Sequence, residues 1–231
     1  MQALWPDYPV FQAVAGWLSS ICLAKDVQSP TGGQPFTWGA TFGLAQGCPT
    51  PVKVTEFSGY GKSRAVKVAS GSACFMLIDK NGALFSWGSG LSGQLGHGNT
   101  QSLTSPKKVA GFGSITVMEI ALGYFSAMAI TKGGMLWSWG LDNDSGVGCL
   151  GHGPGFSEVW EPLQIASLVD VQIEEVKMGQ NKHMCFAMAR DQEGVLYSWG
   201  GGVEHPTLLG HGSAVDRIEF PTQLKLHHHR A

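Results

Sequence analysis

One short string recurs along this chain and constrains its fold more than any other feature. LFSWG (84–88), LWSWG (136–140) and LYSWG (196–200) are near copies, and PFTWG (35–39) is a weaker fourth. Such self-similarity outranks the reading of single elements, because a unit that cannot bury its faces alone must stack on its neighbours. The central residues Trp38, Trp87, Trp139 and Trp199 are spaced 49, 52 and 60 residues apart. That period suits a propeller blade better than a solenoid turn of roughly 20–30 residues.

The surroundings repeat as well. Each copy follows an apolar run opened by a small residue and Gly: VAGWLSSICLA, VASGSACFMLI, IALGYFSAMAI and VKMGQNKHMCFAMA. Three copies then reach Leu-Gly-His-Gly, at 95–98, 150–153 and 209–212, and all four continue to Pro followed by apolar residues, at 51–54, 106–109, 162–165 and 221–224. In the second copy two β-prone runs flank Lys80-Asn81-Gly82, and Asn-Gly favours a tight hairpin because both residues tolerate positive φ. Gly133-Gly134 and Glu193-Gly194 stand at the same place in the next two copies. The Pro segment predicts one more strand per unit, with Pro at its start where a missing N–H does least harm. The chain thus reads as an all-β array and a single domain over 1–231, with units at about 9–50, 51–105, 106–161 and 162–220 and a last strand at 221–226.

Composition narrows the function. Charged residues make up 14% of the chain, against about 25% in an average globular protein, so much of it must be buried. A formal net charge of -2 supplies no field for a phosphate backbone, and nucleic acid is not favoured as a partner. No apolar run approaches the roughly 20 residues of a membrane span, and no charged leader opens the chain, so a soluble intracellular protein, cytoplasmic or nuclear, is expected. Cys22, Cys48, Cys74, Cys149 and Cys185 are odd in number and never spaced as C-x-x-C. This argues against a disulfide framework and against zinc. Cys22, Cys74 and Cys185 lie in apolar runs and read as small hydrophobes.

With these residues in view, the chain resembles the regulator of chromosome condensation family of propeller repeats. The second unit, LFSWGSGLSGQLGHGNTQSLTSPKKV, carries the family pattern of aromatic-Ser-Trp-Gly, Gly-Gln-Leu-Gly-x-Gly and Pro-x-x-Val almost throughout, and the first unit alone lacks Leu-Gly-His-Gly. The resemblance implies a β-propeller, a fold of about four to eight blades. Members usually close with about seven, whereas this chain has four Trp-Gly units. A closed four-bladed ring, an open half-ring completed by a partner and a fragment of a longer chain all remain open, the last two ranked above the first.

His97, His152 and His211 are equivalent by repeat, and equivalent positions on neighbouring blades lie too far apart to share a zinc at about 2.0–2.1 Å, so they are expected to bond turns. Asp142-Asn143-Asp144-Ser145-Gly146 looks like the front of a calcium loop, but the twelfth position is Gly153 where a Glu is required. An ordinary turn is preferred. Insertions in repeat proteins map to loops on one face, often the binding face, which makes Asp142, Asn143, Asp144, Phe156, Trp160, Glu204 and His205 the candidate partner contacts. The four tryptophans are expected at the seams between blades. No catalytic motif, cofactor site or metal site is expected. The predicted role is a non-catalytic interaction subunit of a larger assembly, with protein partners. The resemblance implies an alternative, guanine-nucleotide exchange on a small GTPase.

Overall fold

In the computed structural model the described residues are 9–25, 32–40, 47–54, 64–142, 148–180, 184–202, 207–212, 215 and 217–225. Their strands form four antiparallel groups of four. The first holds β1 (Val10–Ala15), β2 (Ser19–Lys25), β3 (Gly33–Gly39) and β4 (Cys48–Lys53). The second holds β5 (Ala65–Ser70), β6 (Cys74–Asp79), β7 (Leu84–Gly88) and β8 (Leu103–Lys108). The third holds β9 (Val117–Leu122), β10 (Ser126–Thr131), β11 (Leu136–Leu141) and β12 (Glu158–Gln164). The fourth holds β13 (Ile173–Gln180), β14 (Met184–Asp191), β15 (Leu196–Gly202) and β16 (Arg217–Gln223). Among the described residues the first two groups are joined into one sheet by the bridge between Gly33 and Ala65. The same approach recurs at the next two seams as single hydrogen bonds, from Val117 N to Gly82 O and from Ile173 N to Gly134 O.

The Pro strand belongs to the end of each group. β4, β8, β12 and β16 pair with the Trp-bearing strands before them, so the strand at the C-terminal end is the fourth member of the fourth sheet and has its partner in β15. Likewise β1 is the first strand of its own sheet, paired with β2. Proline lies within these strands rather than at their starts, and the reason is a shared bulge. Ser86 pairs with Lys107 and Gly88 with Leu103, which leaves residues 104–106 opposite Trp87. Register is lost in the same way opposite Trp38, Trp139 and Trp199. Each sheet therefore places its proline in a bulge on an edge strand, where the ladder requires no N–H.

In the second, third and fourth sheets the hairpins between second and third strands are three-residue loops. Asp79 N donates to Ala83 O, Gly82 N donates to Asp79 O, and Gly82 takes φ +78°. The Asp79 carboxylate accepts from the N–H groups of Asn81 and Ala83, and Asp191 does the same for Glu193 and Val195. Asp side chains that bond the backbone two residues on mimic a backbone turn. Gly82 is also required by its neighbour, since a Cβ there would lie 2.2 Å from Thr116 Cγ2 of the next sheet.

Apolar faces meet at the seams. Met76, Ile78, Leu84, Val109 and Phe112 of the second sheet pack on Val117, Ile120, Ala127, Ala129 and Trp139 of the third. Met128, Ile130, Leu136, Ile165 and Leu168 then pack on Ile173, Val176, Ala187, Ala189 and Trp199 of the fourth. β6 and β10, covered on both sides, are buried at every residue. β14 alternates between buried and half-buried, because its outer face carries no further sheet among the described residues. The array is an open arc of a propeller.

Candidate functional site

Antiparallel alternation sends two sets of loops to one rim. Loops joining first to second strands (16–18, 71–73, 123–125) and third to fourth strands (89–102 and the described parts of 142–157 and 203–216) share it, while the hairpins lie on the opposite rim. The Leu-Gly-His-Gly elements sit on this first rim. Ser86 Oγ donates to Leu95 O at 2.7 Å and lies 2.9 Å from His97 Nε2. Ser138 and Ser198 repeat the arrangement with Leu150 and His152, and with Leu209 and His211. Because the single hydroxyl proton goes to the carbonyl, each Nε2 must carry the proton and donate to Oγ. A protonated Nε2 cannot accept from that serine, so these Ser-His pairs brace loops and are unsuited to activating a nucleophile. Burial pushes the His97 imidazole down to about 4, helped by the charge of Lys107, and burial also lowers His152.

The loops of the second and third sheets then receive the tryptophan of the next sheet. Trp139 Nε1 donates to Gln94 O and Trp199 Nε1 to Cys149 O, both at 2.9 Å. A Cβ on Gly96 or on Gly151 would lie 2.8 Å from the arriving indole nitrogen, so glycine is what lets the ring in. The expected seam position of Trp87, Trp139 and Trp199 is met by burial of all three.

The structure separates the candidate contacts. Asp142 is buried, 4% exposed, and its carboxylate accepts from the N–H groups of Gly148 and Cys149. Burial raises its pKa against the pull of those two donors. It holds the third loop from within. Trp160 is half-exposed and lies against Gly93, whose Cβ would be 2.5 Å from the indole. Phe156 is exposed, with its ring 5.4 Å from that of His152. Asn143, Asp144, Glu204 and His205 lie outside the described residues.

Other rim residues stand out more. Trp17 and Leu91 are 64% and 73% exposed, and Leu18, next to Trp17 in sequence, is exposed as well. The Trp17 ring lies 5.0 Å from that of Tyr124, across a cleft of about 240 Å³ walled by Gly71, Ser72, Gly123 and Met178. In the sequence Trp17 lies unmarked within the run VAGWLSSICLA; its meeting with Tyr124, 107 positions on, follows from the stacking of the sheets.

Cys149 and Cys185 are joined as a disulfide with Cα atoms 5.5 Å apart, although cysteine number and spacing argued against any. They lie 36 residues apart, and only the seam between the third and fourth sheets brings them together. Cys22, Cys48 and Cys74 are free thiols. Among the described residues no three His, Cys, Asp or Glu side chains are grouped to hold a metal, and no helix is long and apolar enough to cross a membrane.

Four-stranded antiparallel sheets stacked through buried tryptophans are the blades of a β-propeller. The Regulator of chromosome condensation (RCC1) repeat family matches residues 81–130. The human E3 ubiquitin-protein ligase HERC2 is 33% identical over 202 residues, 84% of this chain but 4% of HERC2. The Protein RCC2 homolog of Danio rerio is 33% identical over 155 residues, 64% of this chain and 29% of that protein. Human WBSCR16 superposes with a TM-score of 0.76 at 22% identity, over 94% of this chain and 53% of its own. Prp20p from Saccharomyces cerevisiae, described with its binding to Gsp1p and histones, gives 0.71 at 21% identity, over 97% of this chain and 52% of its own. This chain belongs to the RCC1-like repeat family. It spans about half the length of the solved structures it matches and a smaller share of the two relatives.

Proposed function

We propose that this protein is a non-catalytic interaction scaffold whose partner docks on the rim that carries Trp17, Leu18, Leu91 and Phe156. The observation that carries this is the concentration of exposed large apolar side chains in the loops of that rim, while the histidines and Asp142 beneath them are spent on holding the loops. Exposed aromatic and aliphatic anchors on rigid supports are what protein interfaces use as hot spots. The rim suits a protein partner better than nucleic acid, since the chain carries a net charge of -2.

Affinity capture with cross-linking tests the reading. Trp17→Arg, Leu91→Arg and Phe156→Arg are expected to lose a partner that wild type and Val169→Arg, a change near the opposite rim, both retain. Equal capture by all four would sink it. A second reading, guanine-nucleotide exchange on a small GTPase, rests on the resemblance of the repeat to the regulator of chromosome condensation family. Release of labelled GDP from a panel of small GTPases decides between them, and no acceleration at micromolar protein removes the exchange reading.

A further inference from the structure

The disulfide occupies a position that the seam between the second and third sheets shares with the seam between the third and fourth, and among the described residues the latter alone exploits it. Cys149 directly precedes Leu150-Gly151-His152, where the second sheet's loop has Gln94 before Leu95-Gly96-His97. Both residues present their carbonyl to the incoming indole. Cys185 precedes the residue that faces the Trp-Gly glycine of its own sheet, where the third sheet has Phe125 and the second Ala73: a Cβ on Gly200, Gly140 or Gly88 would meet the carbonyls of Cys185, Phe125 or Ala73 at 2.3–2.5 Å. Two departures from the repeat thus fall on the two positions that face each other across one seam. Both side chains are fully buried, with Met178 packed over them.

We propose that Cys149 and Cys185 form a redox-controlled clamp that sets how firmly the fourth sheet is held to the third. In the closed state the covalent link ties a loop to the strand β14 of the next sheet, beside the Trp199 hydrogen bond and the Asp142 cap. With a small-molecule disulfide RSSR as oxidant, one cysteine thiolate attacks a sulfur of RSSR and expels RS⁻, giving a mixed disulfide. The second cysteine thiolate then attacks the protein sulfur and expels the other RS⁻. The two cysteines lose two protons and two electrons, and RSSR leaves as two thiols. Burial of both sulfurs means that the exchange occurs as the seam forms or opens, so the state set at folding persists until the seam breathes.

The test compares the whole purified chain equilibrated in oxidised and in reduced glutathione. Digestion under non-reducing conditions after alkylation is expected to recover a Cys149–Cys185 linked peptide from the oxidised sample only, with Cys22, Cys48 and Cys74 alkylated in both. Oxidation is expected to raise Tm by roughly 5–15 °C. Hydrogen exchange should quicken on reduction around Cys149 and β14 while the seam between the second and third sheets is unmoved. The variant Cys149→Ala/Cys185→Ala should match the reduced protein and ignore the oxidant. Should that variant fail to fold, the oxidised and reduced wild-type samples decide alone. Recovery of both cysteines as alkylated thiols after oxidation, a link between a different pair, or a link that changes neither Tm nor exchange would each overturn the clamp.

Discussion

At the residue scale, the repeat turns polar side chains inward to brace loops, and this gives the histidines a pH signature. His97 titrates near pH 4 in the fold and near 6.5 when unfolded, so the unfolded chain binds the extra proton across that interval. Its contribution is fully present above about pH 6.5 and is lost progressively as pH falls towards 4. His152 is shifted in the same direction by burial. We expect the Tm to drop between pH 7 and pH 5, by an amount equivalent to about 1–2 kcal/mol for His97 after allowance for its partial exposure. His97→Asn should flatten part of that slope; a profile as steep as wild type would rule out this origin. Gly96 offers a second check. Its φ of +77° and the indole 2.8 Å from its absent Cβ predict that Gly96→Ala costs roughly 2 kcal/mol or more in denaturant unfolding, against about 1 kcal/mol for Gly155→Ala, where positive φ strains the new side chain but no atom lies within 4 Å. Both glycines have positive φ, so the difference isolates the indole contact.

At the element scale, each sheet is completed by its neighbour, and the tryptophan is the joint. Trp139→Phe keeps an aromatic ring in the seam but removes the donor to Gln94 O, at an expected cost of about 1–2 kcal/mol, because that carbonyl is left unpaired in a buried site. Equilibrium unfolding of the single variant tests it, and an unchanged midpoint would deny the bond any weight. The period of Trp38, Trp87, Trp139 and Trp199 made the four sheets legible before any coordinates, and with them the seam role of Trp87, Trp139 and Trp199, while Trp38 is only half-buried. Strand allegiance was less legible. Pro106 suggests a strand start by itself, and only the bulge opposite Trp87 shows why it sits inside β8 and closes a sheet. The candidate surface was partly legible: loop length marked the rim that bears Phe156, but whether a side chain faces outward depends on hydrogen bonds at a distance. Asp142 looked available and is drawn inward by two backbone donors, whereas Trp17 and Tyr124 meet because separate sheets converge. The cysteine pair was hidden for the same reason, since counting and spacing along the chain carry no information about what lies across a seam.

At the scale of the whole molecule, the outer face of the fourth sheet differs from the faces that are covered. Lys177 stands where the second and third sheets have Ala69 and Ala121, and Arg190 stands where they have Ile78 and Ile130. Arg190 reaches Glu174 at 2.9 Å and Glu175 at 3.6 Å, and Lys177 reaches Glu175 at 3.4 Å. These pairs are exposed enough to add little stability, so their effect is to keep a partly apolar face with Met188 and Leu196 from offering the smooth surface of an inner seam. Restoring the inner-seam residues should therefore remove the block. We expect Lys177→Ala/Arg190→Ile to associate as its concentration rises, read as an increasing mass by light scattering after size-exclusion chromatography, while Lys132→Ala, a change in an exposed hairpin, leaves the mass at the wild-type value. If the double variant also keeps the wild-type mass over that range, charge is not what guards this face, and its partial apolar exposure would have to be tolerated on other grounds.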